Sequence, residues 1–213
     1  RRHTRYISVT GVQTCALPIS GSNFTRGVIA SLLGSLDEQG TLQADIAVLE
    51  LDEAYATHFV KLVKPRYSLL LNVMRDQLDR FGEIDHTASL LQIVAEATTD
   101  GVVVNRDDTL VSAIGTDLPS TIKLRYFGLD ESLKKLFPND HDLYGTGDTE
   151  QKKPAHIRST DVLLSKLDDH TATFSFGTKQ QSPTELKIDG VYNTLNAAAA
   201  LCLVRMINEE ANT

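Results

Sequence analysis

Three short runs in this chain set acids, amides and a guanidinium directly after apolar stretches. They are Glu50, Asp52 and Glu53 in "ADIAVLELDEA", Asn72, Arg75 and Asp76 after "PRYSLLLNV", and Asn105, Asp107 and Asp108 in "DGVVVNRDD". Such groups hold charged ligands: carboxylates take hard cations, arginine gives forked hydrogen bonds to anionic oxygens, and amides both donate and accept. A fourth run, "VYNTLNAAAA", sets Asn193 and Asn196 three residues apart. Each run also has an ordinary structural use. "LELDEA" can be an acidic helix start, since acids favour a helix amino end, "NVMRDQLDRFGEID" a solvated loop, "NRDD" a turn after a strand, and Asn193 or Asn196 a helix cap. Singly, none specifies a reaction.

The elements around these runs give them a common address. "FTRGVIASLLGSL" and "AYATHFVKLVK" have helical spacing, and "RDQLDRFGEIDHTASLLQIVAEAT" reads as a loop and then a helix. "ADIAVLELDEA", "PRYSLLLNV", "DGVVVNRDD" and "TIKLRYFGL" are compact apolar runs, with a short helix, "LVSAIG", before the last. Strands alternating with helices predict an α/β fold, a mostly parallel sheet with helices on both faces. In such sheets ligands bind outside the carboxyl ends of the strands. The three polar clusters are therefore expected to converge there. Beyond Asp130, "ESLKKLFPNDHDLYGTGDTEQKKPAHIRS" is a polar excursion without steady period. "TATFSFG" and "TELKIDG" alternate and predict a small antiparallel sheet attached to the main one, and "NTLNAAAALCLVRMIN" predicts a closing helix.

Composition narrows the function classes. The chain has 213 residues, enough to bury a core, and a net charge of −7. Three of its 21 basic residues, Arg1, Arg2 and Arg5, lie in the first nineteen positions, which hold no acid, so the remainder is more acidic still. Nucleic-acid affinity rests largely on basic side chains that displace counterions, so nucleic acid is not the expected partner. No window approaches the ~20 apolar residues of a membrane span, so the chain is not expected to be membrane-embedded. Cys15 and Cys202 cannot supply a disulfide framework or a multi-cysteine zinc site, and a reducing cytoplasm fits. The six histidines are scattered, without a His-x-x-x-His pair.

The opening residues stand apart. An Arg-rich, acid-free start followed by a broken apolar run has the outline of a targeting peptide. "RRHTR" and "VTGVQTCALPI" also match, residue for residue, the translation of a common sequencing-library adapter, with "YIS" where a variable index would lie. Residues 1–19 are thus expected to be foreign, with native sequence entering mid-domain near Ser20.

In order along the chain, "SGSN..RG", "LELDEA", "LLNVMRDQLDRFGEID", "VVVNRDD", "YFGL" and "GVYNTLNAAAA" resemble the central domain of the Mur ligase superfamily, and within it the MurT-type synthetase subunits of lipid II isoglutaminyl synthase. The resemblance covers residues 20–207. Its most specific piece is the Arg-Asp-Gln-Leu-Asp-Arg run, where Asp76-Gln77 stands in place of the Asp-His step of general Mur ligases. It implies a P-loop-type ATP-binding domain over residues 20–208, amino-terminally truncated, with the carboxy-terminal ligase domain absent. The implied activity is ATP-dependent amidation of the D-glutamate α-carboxyl in the lipid-linked stem peptide, through an acyl phosphate, with ammonia from a partner glutaminase subunit. Such an enzyme would be bacterial and cytoplasmic, working at the inner membrane face on its lipid-linked substrate.

The resemblance also assigns residues. Glu50 matches the magnesium-binding acid, and Gln77 stands where other members put a metal-binding histidine. Asn23 and Arg26 match the loop facing the γ-phosphate and the acceptor carboxylate. Arg75, beside Asp76, is placed to bind anionic oxygens, and Asn193 and Asn196 match the adenine-contacting asparagines. ATP and Mg2+ are the implied cofactors.

Several departures qualify this. No G-x-x-x-x-G-K-[ST] phosphate loop occurs in the chain, and it would lie just before Ser20. Residues 128–160 lack the four cysteines of a zinc ribbon found in many relatives, so no zinc is expected. No lysine lies between Lys64 and Lys123 to serve as the carbamylated lysine of most Mur ligases. The alternatives are a stem-peptide amino-acid ligase, folylpolyglutamate synthase, or a non-catalytic scaffold that holds a glutaminase. The Gln77 step and the absent lysine count against the first two.

Overall fold

A computed structural model describes residues 7–9, 12–14, 16–19, 25–42, 44–73, 83–138, 156–168, 171–187 and 190–211. The chain divides into two compact units, Arg1–Leu62 and Val63–Thr213.

The first unit opens with an antiparallel pair, β1 (Ile7–Val9) and β2 (Val12–Thr14), with Val9 opposite Val12. Strand β3 (Ala16–Ile19) then lies parallel to β4 (Ile46–Leu49), with Ala16 opposite Ile46 and Ile19 opposite Leu49. The stretch expected to be foreign therefore carries three short strands. Helix α1 (Thr25–Leu33) packs against β3. The turn that follows is built on Asp37, whose Oδ1 accepts from the amides of Gln39 at 3.0 Å and Thr41 at 2.8 Å. Helix α2 (Glu53–Leu62) starts at Asp52, whose carboxylate accepts from the Tyr55 amide at 2.7 Å. That bond satisfies one of the donors a helix start leaves open.

The second unit is a seven-stranded sheet. Strands β5 (Tyr67–Leu70), β6 (Gly101–Asn105), β7 (Lys123–Leu129) and β8 (Val162–Asp168) run parallel in that order. Helix α3 (Glu83–Ala97) links β5 to β6, and α4 (Thr109–Asp117) links β6 to β7. A 3-10 turn, Glu131–Leu136, follows β7. The sheet continues without a break into antiparallel strands: β9 (Thr171–Phe176) pairs β8, while β10 (Lys179–Gln180) and β11 (Thr184–Glu185) both pair β9. Thr171–Phe176 of "TATFSFG" and Thr184–Glu185 of "TELKIDG" are thus part of the main sheet. Helix α5 (Val191–Ala211) closes the unit.

Alternation along the central strands decides what each face buries. Val102 and Val104 on β6 and Tyr126 on β7 point to one side, where Leu70, Ala95, Val111 and Ile114 complete a core beneath α3 and α4. Val103, Phe127 and Leu129 point to the other, against Val162, Leu164 and Phe174 and against Ala198, Ala199, Cys202 and Met206 of α5. All five residues of β6 are buried. A strand covered on both faces reads as a continuous apolar run, which is why "GVVVN" was legible as a strand. Helix α5 runs against the strands: Met206, near its end, reaches Gly101 at the start of β6, and Glu209 pairs with Arg125 near the start of β7. Its first turns therefore lie at the carboxyl end of the sheet.

Candidate functional site

At the carboxyl end of β6 the chain turns through Asn105, Arg106, Asp107 and Asp108, and the side chains of Asn105, Asp107 and Asp108 each have a backbone task. Asn105 Oδ1 accepts from the Asp107 amide at 2.9 Å, tightening the turn. Asp108 caps α4: its Oδ1 accepts from Leu110 and Val111, both at 3.0 Å, and its Oδ2 accepts from the Val73 amide at 2.7 Å. Asp107 Oδ2 accepts from the Leu129 amide at 2.6 Å, crossing to the end of β7. Only glycine allows that crossing. A Cβ at position 128 would sit 2.4 Å from Asp107 Oδ2 and 2.3 Å from Arg106 Cγ.

The chain leaving β5 thus meets the β6 turn through the Val73 amide and Asp108, and Asp107 and Asp108 serve there as structural acceptors; of the cluster expected after β5, Arg75 and Asp76 lie outside the described residues. The turn reading of "NRDD" accounts for their hydrogen bonds. Burial pushes the Asp107 carboxyl above the ordinary aspartate range, against the Leu129 amide and Lys134, which both favour its charge. Lys134 Nζ lies 3.7 Å from Asp107 Oδ1 and 2.6 Å from Glu131 Oε1.

The same sorting applies to "LELDEA". Asp52 caps α2, and Glu53 sits in that helix's first turn, where an acid complements the helix dipole. Glu50, one residue past β4, is exposed and makes no hydrogen bond or ion pair with the described residues. It is the acid of this run that folding leaves unused. An exposed carboxylate at the carboxyl end of a strand fits a magnesium ion, which takes few carboxylates and keeps several waters. Among the described residues, no group of three or more His, Cys, Asp or Glu could hold a metal.

Asn193 and Asn196 lie in the first two turns of α5, both exposed, at the same end of the sheet as Asn72 and the β6 turn. Gly190, with φ +98°, delivers the chain into the helix, and its carbonyl accepts from the Asn193 amide at 3.0 Å. Asn72 is exposed just past β5. Arg26 is on α1, while Asn23, Arg75, Asp76 and Gln77 lie outside the described residues.

Two features had no local signature in the sequence. Phe137, after the 3-10 turn, meets Tyr192 of α5 edge-on, with ring centroids 5.7 Å apart and planes at 87°. At the opposite end of the sheet Arg125 is buried on β7 and pairs with Glu209, 84 positions away.

A parallel sheet with polar turns at the carboxyl ends of its strands is the arrangement in which open α/β domains bind their ligands. The Mur ligase middle domain model matches residues 4–204, and the chain belongs to that family. More particularly, it is 26% identical over 220 residues to the lipid II isoglutaminyl synthase (glutamine-hydrolyzing) subunit MurT of Streptococcus pneumoniae, covering 90% of this chain and 46% of that protein. It is 33% identical over 97 residues to the MurT subunit of Staphylococcus aureus strain COL, covering 44% of this chain and 21% of that one. The chain thus spans about half or less of these relatives' length. The crystal structure of MurF ligase from Thermotoga maritima in complex with ADP superposes with a TM-score of 0.59 at 18% identity, over 92% of this chain and 40% of that one. That likeness shows the fold.

Proposed function

We propose that this chain is part of the synthetase subunit of an amidating Mur ligase, which converts the D-glutamate α-carboxyl of the lipid-linked stem peptide to its amide. The observation that carries the reading is the match to a lipid II isoglutaminyl synthase subunit over 90% of the chain. The Asp76-Gln77 step and the absence of lysine between Lys64 and Lys123 favour the same branch of the family.

A carboxylate is a poor electrophile. ATP would supply the phosphoryl group that makes one hydroxyl-equivalent oxygen of the acceptor a leaving group, and ammonia would then displace phosphate. The residues' part in this is electrostatic and positional. Glu50, unused by the fold, would hold magnesium with help from the Gln77 carbonyl. Arg26 and Arg75 would fix anionic oxygens of phosphate and acceptor by forked hydrogen bonds, beside Asn23 and Asp76. Asn193 and Asn196 would present amides to the adenine edge. A glutaminase subunit would deliver the ammonia, and the reaction would run on the cytoplasmic face of the membrane. No helix of the described residues is long and apolar enough to cross a membrane.

The test uses the full-length subunit with its glutaminase, a lipid II or stem-peptide acceptor, ATP, magnesium and glutamine. Mass spectrometry of the acceptor should show carboxyl-to-amide conversion, matched by ADP release. Addition of an amino acid instead would make it a stem-peptide or polyglutamate ligase. Absence of ATP turnover despite an intact phosphate loop would make it a scaffold.

A further inference from the structure

We propose that Tyr192 provides the ring face on which the purine base of the bound nucleotide stacks, an inference that rests on the reading of Asn193 and Asn196 as base contacts. The motifs that point to those asparagines assign nothing to the tyrosine before them. Its position is set by helical geometry. At 3.6 residues per turn, positions 192, 193 and 196 fall within an arc of about 100°. That arc is exposed, whereas Thr194, Ala198, Ala199 and Cys202 face the core. An aromatic ring and two amides therefore share one open face of α5 at the carboxyl end of the sheet.

The ring is held there. Phe137, only 6% exposed, belongs to the core and meets Tyr192 at 87°, so the tyrosine is fixed by perpendicular packing. Yet Tyr192 remains 55% exposed, which leaves much of its ring surface uncovered. A residue that served only to cover Phe137 would gain by lying over it. The positive φ of Gly190 fixes the angle at which the helix begins, and with it the side on which residue 192 emerges. A flat apolar surface with hydrogen-bonding amides at its border suits a nucleobase: stacking supplies affinity, and the amides read the edge. The larger ring area of a purine favours it over a pyrimidine.

The experiment measures steady-state kinetics of the full-length subunit with its glutaminase. Tyr192→Leu keeps an apolar contact for Phe137 but has no ring; it should raise KM for ATP roughly ten-fold, leave kcat within about two-fold, and melt with the parent protein. Tyr192→Phe should restore KM. Asn196→Ala serves as the independent arm. A raised KM in Asn196→Ala with an unchanged KM in Tyr192→Leu would overturn the stacking while leaving the base site in place. Unchanged KM in both would place the base elsewhere and overturn both readings. Should the leucine variant not fold, transferred Overhauser contacts between adenine protons of ADP and the Tyr192 ring decide the matter in the unaltered enzyme. Their presence supports stacking, and their absence with ADP bound overturns it.

Discussion

Asp108 joins two strands through one carboxylate: while its Oδ1 caps α4, its Oδ2 accepts the Val73 amide at 2.7 Å and so holds the chain leaving β5. Asp108→Ala should cost about 2 kcal/mol or more, the loss of a helix cap together with a buried amide left without its acceptor. Chemical denaturation of the chain measures this. A change below about 0.5 kcal/mol would show that water replaces all three bonds.

Glu50→Ala should behave in the opposite way. The side chain is exposed and carries no hydrogen bond within the described residues, so circular dichroism and melting should not change. In the full-length enzyme with its glutaminase, amidation should fall about a hundred-fold or more, the scale on which single electrostatic groups act in catalysis. Retained amidation would remove Glu50 from the site, and a collapsed spectrum would make it structural.

A pH prediction follows from Asp161, which is 1% exposed just before β8 and accepts from the amides of Arg158 at 2.7 Å and Tyr126 at 3.1 Å. Burial raises its pKa above the ordinary 3.8, outweighing those two bonds and the Arg158 charge. A raised folded pKa means the folded state holds the proton more tightly. Its contribution to stability is then full below 3.8 and declines as pH climbs through the raised value. Denaturation midpoints across this window should show that decline, and Asp161→Asn should flatten it while lowering stability overall, since its amide nitrogen turns a donor toward one of the two backbone donors. Equal slopes in both proteins would refute the assignment.

Deletion of residues 1–19 tests the reading of the opening stretch. Both hydrophobic cores of the unit Val63–Thr213 are built wholly from its own residues. The melting temperature of that unit should therefore move little. A fall of several degrees, corresponding to about 1–2 kcal/mol, would show that β1 to β3 contribute to the fold as native strands do.

What was legible in the sequence follows from distance along the chain. The strands and helices around "GVVVN", "KLRYFGL" and "NAAAALCLVRM" are local patterns of burial, and the structure carries each of them. The acids were harder, because a carboxylate after a strand serves a ligand or a backbone amide equally well. Asp52 and Asp108 each stand immediately before a helix, which is the cap position, and that signal was available. The crossing from Asp107 to Leu129 was not, since it depends on the missing side chain of Gly128 in another strand. Nor was the pairing of Arg125 with Glu209. Of the residues assigned by resemblance, Glu50, Asn193 and Asn196 lie where a ligand could reach them, and Arg75, Asp76 and Gln77 lie outside the described residues.

The alternation of Val102, Val103 and Val104 between two cores carries a thermodynamic consequence. Neither helical layer can detach while leaving the sheet intact, because peeling α5 away would uncover Val103 and Phe127 on the strands that also carry Val102, Val104 and Tyr126. The two layers should melt in a single transition. The amide protons of β6 should accordingly exchange with solvent only when the whole unit unfolds, and their exchange rates would report its global stability.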